Sequence, residues 1–187
     1  CMNKEPFIKH DQSIPEFTLR AVILGTILAV VLGAANVYLG LYAGMTVASS
    51  IPAAVVSMAI LRGVLKRGTI LENNIVQTVA SAGTSVASGI IFTIPALVFV
   101  GAWTDFKFWP TAIMGICGVL LGVIFMIPLR KVLIIEEKEL SYPEGVACGE
   151  VLIAGEKGGA QFKPIFMGVI VGGIFKFLDS ALNMLKG

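Results

Sequence analysis

The sequence is short of charge and almost without histidine, and these shortages exclude several classes of function. Charged residues make up 14% of the 187 residues, against about 25% in soluble domains. His10 is the single histidine and the three cysteines form no CxxC pair, so we predict no metal site and no cofactor. No HExxH, P-loop or GxSxG motif occurs in the sequence, and we predict no enzyme. No basic stripe with interleaved aromatics is present, which argues against nucleic acid as a partner.

Long apolar runs take the place of these features. Hydrophobic residues make up 56% of the chain, and the mean hydropathy is +0.89. A run of about 20 apolar residues crosses a bilayer, and a soluble chain of this size has no core large enough to hide several such runs. The sequence therefore predicts an all-α, polytopic transmembrane helix bundle surrounded by lipid.

The apolar runs predict about five transmembrane helices and one shorter helix. The approximate ranges of the five are 19–39, 44–61, 73–100, 109–129 and 164–184. Residues 1–18 are polar and lack a signal-peptide pattern. We expect them to form a cytoplasmic tail, with the transmembrane domain over residues 19–187. The shorter helix, interfacial or re-entrant, is predicted for residues 142–154, because Ser141, Pro143 and Glu144 are typical of a helix start.

The lysines and arginines predict the orientation of the chain in the membrane. The tail with the start of the first helix (Arg20) and the second and fourth connecting segments carry eleven of them, whereas the first and third segments carry one, Lys107. Such residues concentrate on the cytoplasmic side. The N-terminus is therefore predicted to be cytoplasmic, in a cell membrane (the inner membrane of a Gram-negative cell). Trp103 and Trp109 bracket the third segment, as an aromatic belt would.

The third helix carries a stripe of polar side chains, which we take as the main candidate for a solute path. Residues three or four apart share one face of a helix, and a polar face inside a membrane must contact protein or water. The stripe either lines a cavity or makes hydrogen bonds across helix contacts, and the sequence leaves both interpretations open. Its members are Asn73, Gln77, Ser81, Thr84 and Ser88.

The end of the first helix is a second candidate part of the path. Asn36 is an amide within an apolar helix, and it must serve as a tie between helices or as part of a cavity wall. Tyr38 lies close by and would help to shape the same cavity. Gly40, Gly44 and Pro52 allow the chain to break or kink here. Broken helices expose backbone groups that bind ions or polar solutes in transporters.

Three glutamates are candidates for proton coupling. Glu72 begins the third helix, where the helix dipole alone would stabilise a carboxylate. Glu144 begins the shorter helix, where a capping role is the alternative. Glu150 lies further along that helix, and a solvated face is its alternative.

Three segments of the sequence together resemble the oligopeptide transporter superfamily, especially its prokaryotic members and the yellow-stripe-like metal-chelate branch. The resemblance runs from about residue 15 to the end of the chain. The three segments are NVYLGLYAGMTVASSIP at 36–52, ENNIVQTVASAG at 72–83 and LSYPEGVACGEVL at 140–152.

The resemblance implies a multi-pass carrier that takes up peptides or metal–chelate complexes by proton symport. Members of the family are several times longer, so the chain is expected to be an N-terminal fragment that requires the remainder of the transporter or partner helices. The alternative is a membrane scaffold or subunit that does not transport and assembles with other helices. Small residues at four-residue spacing, such as Gly25, Ala29 and Gly33, suit close helix packing in either case.

Overall fold

The computed structural model describes residues 7–8, 12–66, 68–137, 140–157, 167–168, 170–175 and 178. Over these residues the regular elements are all helical, which confirms the predicted fold class. Three of the helices are long and apolar enough to span a membrane: α1, α3, and α4 with its continuation. The elements are α1 (Leu19–Ala43), α2 (Ser50–Met58) continued by a π-helical turn (Ala59–Val64), α3 (Ile70–Phe99), α4 (Phe108–Arg130) continued by a second π-helical turn (Lys131–Glu136), and α5 (Pro143–Lys157).

Local capping sets the ends of α1 and the start of α3. The Thr18 hydroxyl accepts a hydrogen bond from the Ala21 N–H at 3.3 Å. At the other end of α1, Gly44 adopts a left-handed conformation, with φ of 67°. Glycine reaches this conformation without steric cost, so the helix stops there. Thr69 and Glu72 form a capping box at the start of α3, which satisfies backbone N–H groups that the helix leaves free.

Helices α1 and α3 pack closely and run parallel. A Cβ built on Gly83 would lie 2.7 Å from Ala29 Cβ, and one built on Gly40 would lie 3.0 Å from Ile91 Cγ2. Contact partners thus advance together along both helices. Such close approach needs small residues, as the predicted packing requires.

The chain between α1 and α3 forms a discontinuous crossing. Because the two helices are parallel, the chain must return over their length before α3 begins. The predicted second helix was expected to begin near Gly44, but α2 begins at Ser50 and residues 45–49 are not helical. An extended residue covers about 3.3 Å and a helical one about 1.5 Å. We call residues 45–49 the extended segment; they have no regular secondary structure, and Ser49 at its end has helical backbone angles (φ −97°, ψ 0°). Its non-helical residues can cover more distance per residue than α2 does.

Helices α2 and α5 begin side by side and run in the same direction. At their starts, Ser50 contacts Glu144. At their ends, the Arg62 guanidinium donates to the carbonyl oxygens of Gly155 and Glu156, at 2.8 and 3.2 Å. Ser81, the partner of Ser50 on α3, lies eleven residues after Ile70, about 16 Å along a helix of about 45 Å. Helix α5 therefore begins beside the middle part of α3.

The core consists of two apolar clusters on either side of α2. One lies between α1, α2 and α3, and the other between α2 and α5. Helix α4 packs antiparallel on α3, where a Cβ on Gly115 would lie 3.2 Å from Ile90 Cδ1, and none of its residues is buried. Of the predicted fifth helix, the structure describes only residues 167–168, 170–175 and 178, all helical. The rest of that prediction lies outside the described residues.

Candidate functional site

Asn36 holds the extended segment 45–49 against α1. Its side-chain amide donates to the Val47 carbonyl oxygen at 3.1 Å, and its carbonyl oxygen accepts from the Val47 N–H at 2.9 Å. The side-chain amide thus pairs with both polar groups of the Val47 backbone, as a neighbouring strand would. Asn36 is buried and serves both as a tie and as part of a cavity wall.

A polar cavity of about 440 Å³ lies between this segment and α3. We call it the Asn36 cavity. It brings together five of the residues predicted from the sequence, together with the extended segment. The predicted residues that line it are Asn36, Ser81, Thr84, Ser88 and Glu144. The void beside the polar stripe is what the solute-path interpretation requires.

A second cavity, of about 780 Å³, lies nearer the N-terminal end of α3. We call it the Gln77 cavity. Gln77 and Asn74 contribute from α3, Ser50 from α2 and Ile134 from the π-helical turn after α4. Residues of α5 and the two residues before it form the rest of the wall. The Gln77 amide donates to Asn74 Oδ1 at 3.1 Å, so part of its hydrogen-bonding capacity is already used.

The two cavities meet at a chain of hydrogen-bonded side chains. The Ser50 hydroxyl donates to Glu144 Oε1 at 2.9 Å, and its oxygen lies 3.1 Å from that of Ser81. Glu144 lines both cavities. The Ser50–Glu144 contact therefore separates the Gln77 cavity, towards the N-terminal end of α3, from the Asn36 cavity, towards its C-terminal end.

Both short helices present their N-termini at this junction. The N-terminal end of a helix carries a partial positive charge of about half a unit, and its first N–H groups have no intrahelical partner. Ser49, at the N-cap of α2, makes no side-chain capping hydrogen bond. Glu144 in the first turn of α5 adds a carboxylate to the same place. The junction can therefore hold a proton, a cation or the anionic end of a solute.

Asn73 and Tyr38 do not reach either cavity. Asn73 Oδ1 accepts from the Ser57 hydroxyl at 3.0 Å, and the Asn73 amide donates to the Thr69 carbonyl oxygen at 3.2 Å. Asn73 thus ties α2 to α3 in a buried contact. Tyr38 is 67% exposed and stacks on Tyr42 with ring centroids 5.8 Å apart. Both assignments to the solute path stay predictions.

Glu72 is fully buried and its carboxylate is saturated with partners. Arg20 donates to both of its oxygens at 2.8 Å, the Thr18 hydroxyl donates to one, and the Thr69 N–H donates to the other. This network joins the N-terminal ends of α1 and α3. Glu150 lies exposed on α5.

Sequence reasoning allowed a break near Gly40, Gly44 and Pro52, but it predicted neither the non-helical residues 45–49 nor the partners of the glutamates. Thr46 and Ser49 line the Asn36 cavity, although both were assigned to a regular second helix. Gly44 and Pro52, with three hydroxyl residues between them, permit a break without fixing its position. The bidentate partner of Glu72, Arg20, lies 52 positions away and left no local signal.

Comparison with known proteins agrees with this architecture. The model of the family described as OPT oligopeptide transporter protein matches residues 16–186. A protein of Haemophilus influenzae (strain ATCC 51907 / DSM 11121 / KW20 / Rd) named "Putative oligopeptide transporter" is 46% identical over 150 residues. The match covers 79% of this chain and 23% of that relative, so the chain spans about a quarter of the relative's length. No solved structure matches the chain significantly.

The three helices long enough to span a membrane and the family match both indicate a multi-pass membrane protein. The match extends from the start of α1 through all three segments on which the resemblance rests. The chain belongs to the OPT oligopeptide transporter family.

Proposed function

We propose that the chain forms part of the solute path of a secondary active transporter, which takes up oligopeptides or metal–chelate complexes together with protons. The family and the relative's name support a peptide as solute. The chelate class rests on the resemblance to the yellow-stripe-like branch alone.

The observation that carries this proposal is the pair of short helices that begin side by side within the bundle. In membrane transporters, discontinuous helices place their N-termini and unwound backbone at the site of solute binding. Here α2 and α5 meet at the Ser50–Glu144 contact, with a polar cavity on each side of it. A carrier that exposes its site alternately to the two sides requires such a barrier between two cavities.

Glu144 is the best placed of the three glutamates to carry the coupled proton. Glu144 lines both cavities. Its carboxylate accepts one side-chain hydrogen bond, from the Ser50 hydroxyl. Glu72 is held by a bidentate guanidinium and two further donors, so its protonation would break a buried network. Glu150 has no comparable position beside the cavities in the described part of the chain.

The proposed orientation places the N-terminus in the cytoplasm, with the protein in the cell membrane. The parallel packing of α1 and α3 supports it, because both helices then begin on the side rich in lysine and arginine. In that orientation the Gln77 cavity lies towards the cytoplasm and the Asn36 cavity towards the outside.

The test uses the assembled transporter, meaning this chain together with whatever further helices it requires, in proteoliposomes. An inward proton gradient drives uptake of a mixed-sequence tripeptide library, with ferric citrate as a second arm. We expect Glu144→Gln to abolish accumulation against a solute gradient while exchange of solute across the membrane continues. Glu150→Gln, on the same helix, is the matched control and should accumulate solute at the unaltered rate.

Two results would overturn the proposal. If neither solute enters through the unaltered protein, the chain is better described as the scaffold that was the alternative. If Glu144→Gln accumulates solute as well as the control does, Glu144 does not carry the proton.

A further inference from the structure

The first turn of α2, which follows Ser49 of the Asn36 cavity, has hydrogen-bond donors that are unused within the helix. The first backbone bond of this turn runs from the Ala53 N–H to the Ser49 carbonyl oxygen, at 2.9 Å. The N–H groups of Ser50 and Ile51 precede it and have no partner within the helix. Pro52 has no N–H to offer. Two donors therefore point out of the end of the helix.

Ser49 supplies an independent sign that this place binds something. It is 7% exposed and lines the Asn36 cavity. Its hydroxyl has no hydrogen-bond partner among the described residues. A buried hydroxyl without a partner costs free energy unless water or a ligand satisfies it. Ser49 directly precedes the two N–H groups in the chain, at the N-terminal end of α2, so the buried hydroxyl faces the cavity where that end lies.

The charges around the cavities are unusually simple. Among the residues that line the two cavities, Glu144 is the one acidic side chain and none is basic. Attraction for an anion therefore comes from the N-termini of α2 and α5, and Glu144 opposes it. An anion and the Glu144 carboxylate compete for the same positive end of α2, where the Ser50 hydroxyl now donates to Glu144.

We infer that the first turn of α2, with Ser49, binds a carboxylate of the solute, and that Glu144 takes up a proton when this carboxylate arrives. This inference rests on the proposed function and names the chemical group that the site recognises. The proton passes from the medium to the Glu144 carboxylate. Ser50 then turns its hydroxyl from Glu144 to the solute. Binding of one carboxylate and uptake of one proton thereby become a single event.

Other groups around Glu144 do not supply this coupling. The remaining titratable side chains that line the cavities are Tyr142, which directly precedes α5, and Cys148 on α5. Helices α1, α2 and α3, the extended segment and the π-helical turn after α4 contribute amides, hydroxyls and apolar groups to the walls, and no charge. Glu144 is therefore the group whose charge competes with the solute.

The first experiment compares two forms of the tripeptide library for binding to the assembled transporter in nanodiscs at pH 5.5. One form has free C-terminal carboxylates and the other is amidated. We expect the free acids to bind roughly tenfold more tightly or better, because hydrogen bonds to a charged group are the stronger ones. Ser49→Ala should weaken binding of the free acids at least about fivefold and leave the amides unchanged. Ser85→Ala is the matched control, since Ser85 lines the same cavity but donates to the Ser81 carbonyl oxygen.

The second experiment measures binding of the free acids as pH rises from 5.5 to 8. Uptake of one proton with the solute weakens binding by up to about tenfold per pH unit. Glu144→Gln should remove this dependence, and Glu150→Gln should retain it.

The outcomes separate the inference from the proposed function. Equal affinity for acids and amides, or an unaltered pH dependence in Glu144→Gln, overturns the inference while peptide binding itself stands. Failure of the unaltered protein to bind either library overturns peptide transport, and the inference with it.

Discussion

Replacement of Asn36 by leucine should release the extended segment 45–49 while α1 itself stays folded. The variant loses two hydrogen bonds to Val47, of 2.9 and 3.1 Å. Were Val47 dry, each unpaired backbone group would cost about 1–3 kcal/mol. Val47 is 52% exposed and lines a cavity, so water can replace the amide. The lower value, about 0.5–1.5 kcal/mol for each bond, therefore applies, and the total is about 1–3 kcal/mol.

This free energy corresponds to a change of roughly 5- to 150-fold in the local opening equilibrium. Hydrogen exchange of the Val47 amide, measured by mass spectrometry in nanodiscs, reports that equilibrium directly. Thr26→Val is the matched control, because the Thr26 hydroxyl bonds only the Val22 carbonyl oxygen on the exposed face of α1. An Asn36→Leu variant whose Val47 amide exchanges within about twofold of the unaltered rate would refute the claim that this side chain holds the segment.

Two further pairs of variants test the contacts between α1 and α3. Gly83→Ala should lower the thermal midpoint, at a cost of about 1–3 kcal/mol. The new Cβ would meet Ala29 Cβ at 2.7 Å and Cα at 3.2 Å, and a backbone atom cannot move aside. Gly89→Ala, with nothing within 4 Å, should be neutral or stabilising, and equal midpoints for the two variants would contradict the close packing. Arg20→Met should lower the midpoint because it leaves the buried Glu72 carboxylate without its bidentate partner. Arg20→Lys should restore part of the loss, since lysine cannot bind both oxygens in the same way; full restoration would show that charge alone suffices.

The helices themselves could be predicted from the sequence because their causes are local. Apolar runs of membrane-spanning length predicted α1, α3 and α4, and each exists within a few residues of its expected bounds. The three-to-four spacing also placed Ser81, Thr84 and Ser88 on one face, and the structure sets all three beside one cavity. In these cases the interactions that form the helix, and the face that each residue occupies, are set by residues close in sequence.

The second crossing could not be predicted in the same way. Its composition suits a continuous membrane helix, and the first six residues of the predicted helix nevertheless leave it. Asn36, eleven positions from Val47, supplies the hydrogen bonds that the helix would otherwise provide. Gly44 and Pro52 permitted the break without specifying where it would occur.

The roles of chemically similar residues also depended on distant partners. Glu72 and Glu144 both lie in the first turn of a helix, and their sequence surroundings did not separate them. Parallel packing of α1 on α3 places Arg20 against Glu72, whereas the return of the chain into the bundle before α5 places Glu144 between two cavities.

The sequence alone determined that this chain is helical, lies in a membrane and carries a polar face, because hydrophobic length and helical period act over neighbouring residues. Tertiary structure decided which part of that face borders a void and which carboxylate is saturated. Those outcomes depend on hydrogen bonds between residues that are 11 to 94 positions apart in the sequence. No local sequence pattern encodes such pairs.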